Sequence, residues 1–390
     1  MPDIPSSNVP DEMVNEPVRY LDADLVKGGP QEGIALCLSG GGYRAMLFHL
    51  GCVWRLFETG YLARLDRISS VSGGSITAGV LGLAWNKLFS GGANDLDLYR
   101  QFVVGPVRSL AGETIDATAI VGGIFLPGSI SEKVQKAYRK HLFHDAALQD
   151  LPDRPRFVIN ATNVQSGVLW RFSKPYMRDY RVGEVRAPKV AMALAVAASS
   201  AFPPLLSPLE MGLDPADFTP GSGDDLQCEP FTKKVILTDG GVYDNLGLET
   251  AWKRYRTILV SDAGGHIGAE EEPKEDWARH SYRVLNLIDS QVRSLRKRQL
   301  ISAYENSIRK GAYWGIRTNI ADYGLADPLP CPFGNTTKLA EVPTRLKRVP
   351  DELQEQLINW GYAVCDAALR KHVDQSLQRP ADFPYPSAGL

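Results

Sequence analysis

A serine and an aspartate each stand at the kind of turn in which ester-cleaving enzymes hold reactive groups. Ser75 follows a glycine pair in the stretch VSGGSITAG, and Asp239 ends the apolar run KVILTD and enters a Gly-Gly turn. A carboxylate that accepts the proton of a serine hydroxyl makes that serine a nucleophile. The residue types are therefore compatible with attack by Ser75 on an ester carbonyl, with Asp239 as general base. Taken alone, the serine also fits a helix N-cap and the aspartate a common Asp-Gly turn.

A second glycine-rich turn, in the stretch LSGGGYRA, offers backbone N–H groups to an anion. Three glycines lie between a strand-like run and a helix-like run, where the positive end of a helix favours negative charge. The turn is compatible with an oxyanion hole, with a phosphate site or with a tight turn that binds nothing. Gly40 to Ala45 also fits the dinucleotide fingerprint G-x-G-x-x-A. That fingerprint calls for an acidic residue after the next strand, and the next strand ends in SSVS.

The turn around Ser75 departs from the usual G-x-S-x-G pattern of serine hydrolases. Gly73 and Gly74 permit a close-packed turn before the serine. Thr77 stands where the second glycine is expected, so a β-branched residue has to fit where helix and strand meet. We expect Thr77 to face a small residue or to point away from the sheet.

Histidine and metal chemistry have weaker support. His266 follows the strand-like run ending in SDAGG and is the candidate for a classical Ser-acid-His triad. His49 lies inside an apolar helix and is expected to be a hydrogen-bonded core residue. No His, Asp and Glu cluster has metal-ligand spacing, so the sequence predicts neither a metal nor another cofactor.

The composition excludes several classes of protein. The 390 residues are 44% hydrophobic and 23% charged, with a formal net charge of −2. That balance argues against a nucleic-acid partner, which usually leaves a basic excess. The five cysteines form no C-x-x-C pair, the first residues lack a secretory pattern, and no apolar run reaches ~18 residues. We expect a cytoplasmic protein, with transient contact at membrane surfaces as a further option.

The hydropathy pattern predicts an α/β fold, a three-layer sandwich around a mostly parallel central sheet. A strand-turn-helix unit occurs twice between residues 33 and 89, which favours parallel strands. Residues 1–30 are expected to form a loose, proline-bearing arm, residues 31–275 the core with a cap insertion at 91–151, and residues 276–390 a helical region packed on the core. Within that region, an apolar stripe between residues 285 and 308 is expected to face the core. The apolar stretch 120–128 is a candidate lid, although packing on the core is the stronger expectation.

Taken together, four segments resemble the patatin-like phospholipase family. They occur in the family's order over residues 33–265: SGGGYR, GGS, AASSAFP and DGG followed by Asn245. The resemblance implies a lipid acyl hydrolase that cleaves phospholipid or lysophospholipid esters through an acyl-enzyme, without a cofactor. It implies Ser75 as nucleophile and Asp239 as base. It also implies Gly41, Gly42 and Arg44 as the oxyanion hole, with support from Gly40, Gly73, Gly74, Gly240, Gly241 and Asn245.

Two alternatives stay open. One is a nucleotide- or phosphate-binding protein that uses Gly40 to Ala45. The other is a catalytically inactive scaffold or membrane-surface module on the same fold, which Thr77 motivates.

Overall fold

Ten strands form one mixed sheet in the computed structural model, which describes residues 30–90, 95–115, 129–204 and 206–390. The strand order is β10-β9-β1-β2-β3-β4-β5-β6, and β8 pairs with both β3 and β7. The strands are β1 Gln31–Leu38, β2 Arg67–Val71, β3 Arg156–Asn163, β4 Val168–Phe172, β5 Tyr176–Asp179, β6 Gly183–Arg186, β7 Leu209–Gly212, β8 Lys234–Asp239, β9 Tyr255–Asp262 and β10 Lys310–Gly315.

Helices cover the sheet on both faces. They are α1 Gly42–Glu58, α2 Gly73–Phe89, α3 Leu96–Tyr99, α4 Gly105–Ala111, α5 Ser129–Tyr138, α6 Met192–Ser199, α7 Gly241–Asp244, α8 Glu249–Trp252, α9 Trp277–Glu305, α10 Phe333–Ala340 and α11 Asp351–His372. In the described ranges, none of them combines the length and the hydropathy that a membrane span requires. The predicted fold class is confirmed.

The parallel half of the sheet comprises β10, β9, β1, β2 and β3. The second half of β1 and all of β2 are buried, as their nearly continuous apolar or small residues predict for strands covered on both faces. Each of β1 and β2 runs directly into a helix, α1 and α2. Both helix N-termini therefore lie at the carboxyl edge of the sheet, where open α/β sheets place their sites.

The antiparallel half brings β8 to the same edge of β3 as β2. The first part of β3 pairs with β2, and its last three residues pair with β8. Val71 at the end of β2 lies opposite Asn160, and Asp239 at the end of β8 lies opposite Ala161. The two strands run towards each other and end on adjacent residues of β3. The turns that follow them must therefore meet.

The region after residue 276 differs in part from the expected helical region. Helix α11 is deeply buried and crosses α1 closely. The approach is so close that a Cβ on Gly51 or Gly361 would collide with a backbone carbonyl of the opposite helix. Strand β10 lies between the helices and extends the sheet through parallel pairing with β9. The expected core-facing stripe on α9 is wrong, since Ile288 and Leu295 are 54% and 56% exposed. These side chains face solvent, because the opposite side of the helix packs towards the rest of the protein.

The other predicted segments are only partly described. The cap insertion at 91–151 is described for 95–115 and 129–151, where Tyr99, Val107, Tyr138 and Phe143 are buried in the main core. The candidate lid at 120–128 and residues 1–29 of the expected arm lie outside the described residues. Strands β3 and β4 form an antiparallel hairpin around Gln165 to Gly167.

Candidate active site

The turn between β2 and α2, residues 71–74 and here called the elbow, holds Ser72 in an unusual conformation. Ser72 has φ 51° and ψ −120°, a region that a residue with a side chain rarely enters. Such strain occurs where a strand turns sharply into a helix and lifts a serine above the sheet edge. Ser72 lines the main pocket and keeps 8% of its surface accessible.

Two glycines after Ser72 make the elbow sterically feasible. A Cβ on Gly73 would collide with the backbone of Gly42, so the elbow and the 40–42 glycine loop are in contact. A Cβ on Gly74 would lie 2.5 Å from the carbonyl oxygen of Leu38, and the Gly74 amide donates to Ser39 O over 3.2 Å. Helix α2 therefore begins directly over the end of β1, which only glycine permits.

Asp239 faces the elbow from the end of β8. Its Oδ1 accepts a 2.7 Å hydrogen bond from the Gly241 amide. Its Oδ2 is buried and accepts no hydrogen bond of standard geometry, yet the Ser72 side chain lies close enough to lower the pKa of the carboxyl. Catalytic hydrogen bonds are often loose before substrate binds. The structure thus brings Ser72, rather than Ser75, against Asp239.

Burial raises the pKa of Asp239 from 3.8 to about 7. The loss of water around the carboxylate is the largest cause, and the hydrogen bond from Gly241 and the nearby Ser72 side chain offset part of it. The charge of Asp289, on α9, raises the pKa further. A carboxyl that titrates near neutrality is suited to accept a proton and to return it.

The serine assignment from the sequence is therefore corrected by position. Ser75 is fully buried in the first turn of α2 and does not line the pocket. Its Oγ lies 3.0 Å from Ser70 Oγ and 2.9 Å from Ser199 Oγ. Ser199 Oγ in turn accepts from the Ser72 amide over 2.9 Å and donates to Asn160 O. Ser75 supports the elbow from beneath.

Thr77 has no part in the elbow. Its hydroxyl donates to Met46 O over 2.8 Å, which directs the side chain towards α1. In the register centred on Ser72, Gly74 is the second glycine of the pattern, and Ser70 stands in place of the first. The absence of a second glycine was a consequence of centring the pattern on Ser75. The sequence could have indicated Ser72 as the elbow serine, because it directly follows the last residue of the strand.

The alanine- and serine-rich segment after α6 holds Asp239 in place. The Asp239 amide donates to Ala201 O over 2.9 Å, and the Gly240 amide donates to Ser199 O over 3.3 Å. The small side chains of this segment let its backbone lie this close to the end of β8. The sequence predicted this proximity only through the family resemblance.

The glycine loop presents Gly41 and Gly42 to the pocket, at the N-terminus of α1 where amides have no intrahelical acceptor. Gly41 has φ 144° and Gly42 φ 60°, and a Cβ on either would approach a backbone carbonyl within 2.7 Å. The Oδ1 of Asn245 lies close to Gly40 and Gly241, between the two glycine turns. Asn245 thereby joins the glycine loop to the turn after Asp239.

Arg44 is buried and does not line the pocket. Its guanidinium donates to Ala263 O over 3.0 Å, to Thr344 Oγ1 over 2.9 Å and to Val342 O. These bonds fasten the start of α1 to the end of β9 and to residues 342–344. The expected role of Arg44 as an oxyanion donor is therefore corrected, because its donors are engaged elsewhere.

In the described ranges, neither His49 nor His266 is hydrogen-bonded to Ser72 or Asp239. The ring of His49 is buried and contacts Ser261 Oγ at 2.8 Å and Ser39 O at 2.9 Å, which confirms the expected core role. His266 lies exposed on the pocket wall, and no hydrogen bond joins it to Ser72 or Asp239 among the described residues. Nowhere in the described part of the chain do three or more His, Cys, Asp or Glu side chains gather as a metal site requires.

The pocket has a volume of about 740 Å³. Phe202, Pro203, Pro204 and Leu206 provide an apolar wall, and one side of α9 provides a more polar wall. Ser200 also lines it, and among the described residues the buried hydroxyls of Ser200 and Tyr138 have no hydrogen-bond partner of standard geometry. Burial raises the pKa of Tyr138, the Ser200 side chain lowers it and the charge of Asp239 raises it, so both groups lie near Tyr138. Such groups are available to a polar ligand.

The solved structures that match this chain include a human phospholipase and a bacterial protein. Human GIVD cytosolic phospholipase A2 is 13% identical over 64% of this chain and 47% of its own, with a TM-score of 0.37. The same enzyme with methyl gamma-linolenyl fluorophosphonate is 14% identical over 90% and 59%, with a TM-score of 0.47. VipD from Legionella pneumophila is 17% identical over 87% and 67%, with a TM-score of 0.34. The chain spans about half the length of the first of these, and no curated protein matches it.

The family comparison covers the elements that form the site. The model of the family described as patatin-like phospholipase matches residues 36–252, which is more than half of the chain. The matched range contains the glycine loop, the elbow and Asp239. The chain belongs to the patatin-like phospholipase family.

Proposed function

We propose that the protein is a serine acyl hydrolase that cleaves carboxylic esters of phospholipids or lysophospholipids. Family membership supports lipid acyl hydrolysis in general. The observation that carries the specific proposal is the meeting of the Ser72 elbow with the buried Asp239 at the wall of the pocket. The apolar wall at residues 202–206 suits an acyl chain.

In the first half of the reaction, Ser72 acts as the nucleophile. Asp239 accepts the proton of Ser72 Oγ while that oxygen bonds to the ester carbonyl carbon. The carbonyl oxygen becomes an oxyanion. The carbon–oxygen bond to the alcohol then breaks, and Asp239 returns the proton to the departing alcohol. The products of this half are the free alcohol or lysolipid and an acyl ester on Ser72.

The second half releases the fatty acid. A water gives a proton to Asp239 and attacks the acyl carbon, and Ser72 leaves and recovers that proton. Ser200 and Tyr138 are suited to hold this water, because their hydroxyls are buried near Asp239 and have no hydrogen-bond partner of standard geometry within the described ranges. The proton balance closes on one carboxyl, so the proposed cycle needs no histidine.

The proposed oxyanion donors are backbone amides. Gly41 and Gly42 line the pocket at the start of α1, and Gly73 directly follows the nucleophile and contacts Gly42. Amides in these positions face the developing charge and need no reorganisation. Arg44 contributes by holding the loop in place.

Neither alternative gains support from the site. The inactive-scaffold hypothesis was motivated by Thr77, which contacts α1 and leaves the elbow intact. The dinucleotide hypothesis requires an acidic residue after β2, and Ser72 occupies that position.

A fluorophosphonate probe tests the proposal directly. After labelling, mass mapping of the wild-type protein should place the adduct on Ser72. Labelling and hydrolysis of a soluble short-chain ester should both be lost in Ser72→Ala, whereas Ser75→Ala should still be labelled. An adduct on Ser75, or full esterase activity in Ser72→Ala, would refute the assignment. A panel of phospholipids and lysophospholipids then identifies the substrate class.

A further inference from the structure

The helix α9 exposes an unusual number of large apolar side chains. Ten large hydrophobic residues are exposed in the described part of the chain, and six of them belong to this helix. Five lie along one side, here called the outward face: Trp277, Val284, Leu287, Ile288 and Leu295. Trp277 is 83% exposed. Scattered apolar residues on a surface are ordinary, but five on one side of a single helix indicate a binding surface.

The opposite side of α9 forms a wall of the pocket. It contributes Ala278, Tyr282, Asn286, Asp289 and Arg293, which follow helical spacing. Since a helix advances by about 100° per residue, these side chains lie roughly half a turn away from the outward face. The usual amphipathic arrangement is therefore inverted, with polar groups towards the protein and apolar groups towards solvent.

The helix is anchored towards its C-terminal half. Arg293 donates to Gly265 O, and Arg296 donates to Glu249 over 3.1 Å. Leu300 and Ala303 are buried against the sheet. The outward face therefore belongs to a fixed element whose N-terminal half borders the pocket.

The size of the outward face argues against a second protein as its partner. From Trp277 to Leu295 the helix rises about 27 Å, and a helix is about 10 Å across. The strip thus offers on the order of 300 Å², whereas a stable protein interface needs about 800 Å² from each partner. A narrow apolar strip can instead insert into a lipid surface, where binding scales with buried apolar area.

The charges beside the strip point to apolar rather than electrostatic attraction. Arg279 pairs with Asp276, and Arg283 pairs with Glu270 over 2.7 Å. The segment before the helix, EEEPKED at 270–276, is strongly acidic. The exposed cations Lys297 and Arg298 lie beyond Leu295, at the far end of the strip from Trp277. Around Trp277, Leu287 and Ile288 a purely anionic surface would gain little, so the expected surface is a zwitterionic phospholipid bilayer.

We propose that the outward face of α9 docks this protein on a phospholipid bilayer. Trp277, Leu287 and Ile288 enter the boundary between head groups and acyl chains, and the pocket on the other side of the same helix then lies beside the lipid. The proposal rests on the proposed function for its purpose, since a lipid hydrolase must draw its substrate from such a surface. The docking itself is measured without catalysis.

Vesicle flotation with phosphatidylcholine vesicles tests the docking. The assay uses Ser72→Ala protein, so that the vesicles are not consumed, and compares it with the same protein carrying Leu287→Ser and Ile288→Ser. The parent should float with the vesicles at low and at high salt, and the double change should weaken binding by about 10-fold or more. Phe333→Ser is the matched control, because Phe333 is 52% exposed on α10.

Trp277 supplies an independent readout. The other tryptophans are buried or half-buried, so quenching by phosphatidylcholine brominated on its acyl chains should report mainly on Trp277 and should be lost in Trp277→Phe. Circular dichroism and melting curves check that each variant is folded.

Three results would overturn the proposal. These are no flotation of the parent, equal flotation of the double variant, or binding that disappears at high salt. A concentration-dependent dimer that the double variant abolishes would assign the face to a second copy instead. Activity on a soluble ester reports separately on the proposed function, so a failure of either idea is recognisable.

Discussion

Ser72 and Asp239 meet because β2 and β8 approach each other along the same strand and end on adjacent residues of it. Val71 pairs with Asn160 and Asp239 with Ala161. The two residues are far apart in sequence, and they come together only through the pairing of β2 and β8 with β3. The register of β3 with its two neighbours therefore determines whether the pair can react.

Replacement of Ser75 should separate its supporting role from catalysis. Ser75→Ala removes the contact with Ser199 Oγ, which accepts from the Ser72 amide. We expect a loss of about 1–2 kcal/mol in the free energy of unfolding and a rate within about 10-fold of wild type. Chemical denaturation and short-chain ester hydrolysis measure the two quantities. A loss of ~10³ or more in rate at unchanged stability would restore Ser75 as the nucleophile.

The activity should depend on pH through Asp239. A base must be deprotonated, and the pKa of this carboxyl is raised to about 7. The value of kcat/KM for a soluble ester should therefore fall about 10-fold per pH unit below neutrality. A flat profile between pH about 5 and 8 would contradict this reading of the dyad.

The same shift makes Asp239→Asn a stabilising change at alkaline pH. The folded protein holds the Asp239 proton up to about pH 7, whereas the carboxyl of the unfolded chain loses it near 3.8. The stability that protonation contributes is thus present below the lower value and lost as pH rises through the upper one. Asparagine mimics the protonated form, so the variant should be inactive and about 2–4 kcal/mol more stable at pH ~8. Melting curves at acidic and alkaline pH should show the difference growing with pH, and equal curves would contradict it.

Gly74 should not tolerate even the methyl side chain of alanine. In Gly74→Ala the new Cβ would lie 2.5 Å from Leu38 O, where two backbone segments are in contact. We expect at least ~2 kcal/mol of destabilisation and a displaced elbow. Gly334→Ala, at an open helical position on α10, is the control and should be neutral or slightly stabilising. Tolerance of alanine at both sites would mean that α2 does not lie against β1 as described.

Arg44→Lys distinguishes an anchor from an oxyanion donor. A lysine cannot reproduce the bonds to Ala263, Val342 and Thr344, so the free energy of unfolding should fall by about 2–3 kcal/mol. At a temperature where the variant is folded, its rate should stay within about 10-fold of wild type, because an oxyanion donor would cost ~10²–10³. Calorimetry and steady-state kinetics together decide between the two roles.

Tyr138→Phe should slow the second half of the reaction. In the described part of the chain the hydroxyl has no hydrogen-bond partner of standard geometry, so its removal should leave stability unchanged or slightly higher. If it holds the attacking water, the acylation burst persists while the steady rate falls by about 10-fold. Tyr99→Phe is the control, since that buried hydroxyl already donates to Leu50 O and lies apart from the pocket. Equal kinetics in wild type and Tyr138→Phe would remove Tyr138 from the mechanism.

The sequence by itself determined the fold class and the positions of Asp239 and the glycine loop at strand-end turns. Apolar runs that end in glycine turns specify strand-turn-helix units, because buried parallel strands need apolar residues and a strand-to-helix turn needs unhindered backbone. Asp239, Gly41 and Gly42 were recognisable because each stands at such a turn. Their order along the chain was sufficient to indicate the family.

The tertiary structure alone decided which serine faces Asp239. Ser72 and Ser75 share one short glycine-bearing stretch, and local preference favours a helix that begins at Ser75, since glycines are poor helix formers. The helix begins at Gly73 instead, because the close approach to β1 and to Gly42 demands glycine there. That shift leaves Ser72 on the strained turn and buries Ser75. Likewise, the apolar stripe of α9 was readable from the sequence, but its direction depends on which side of the helix the pocket and the sheet contact.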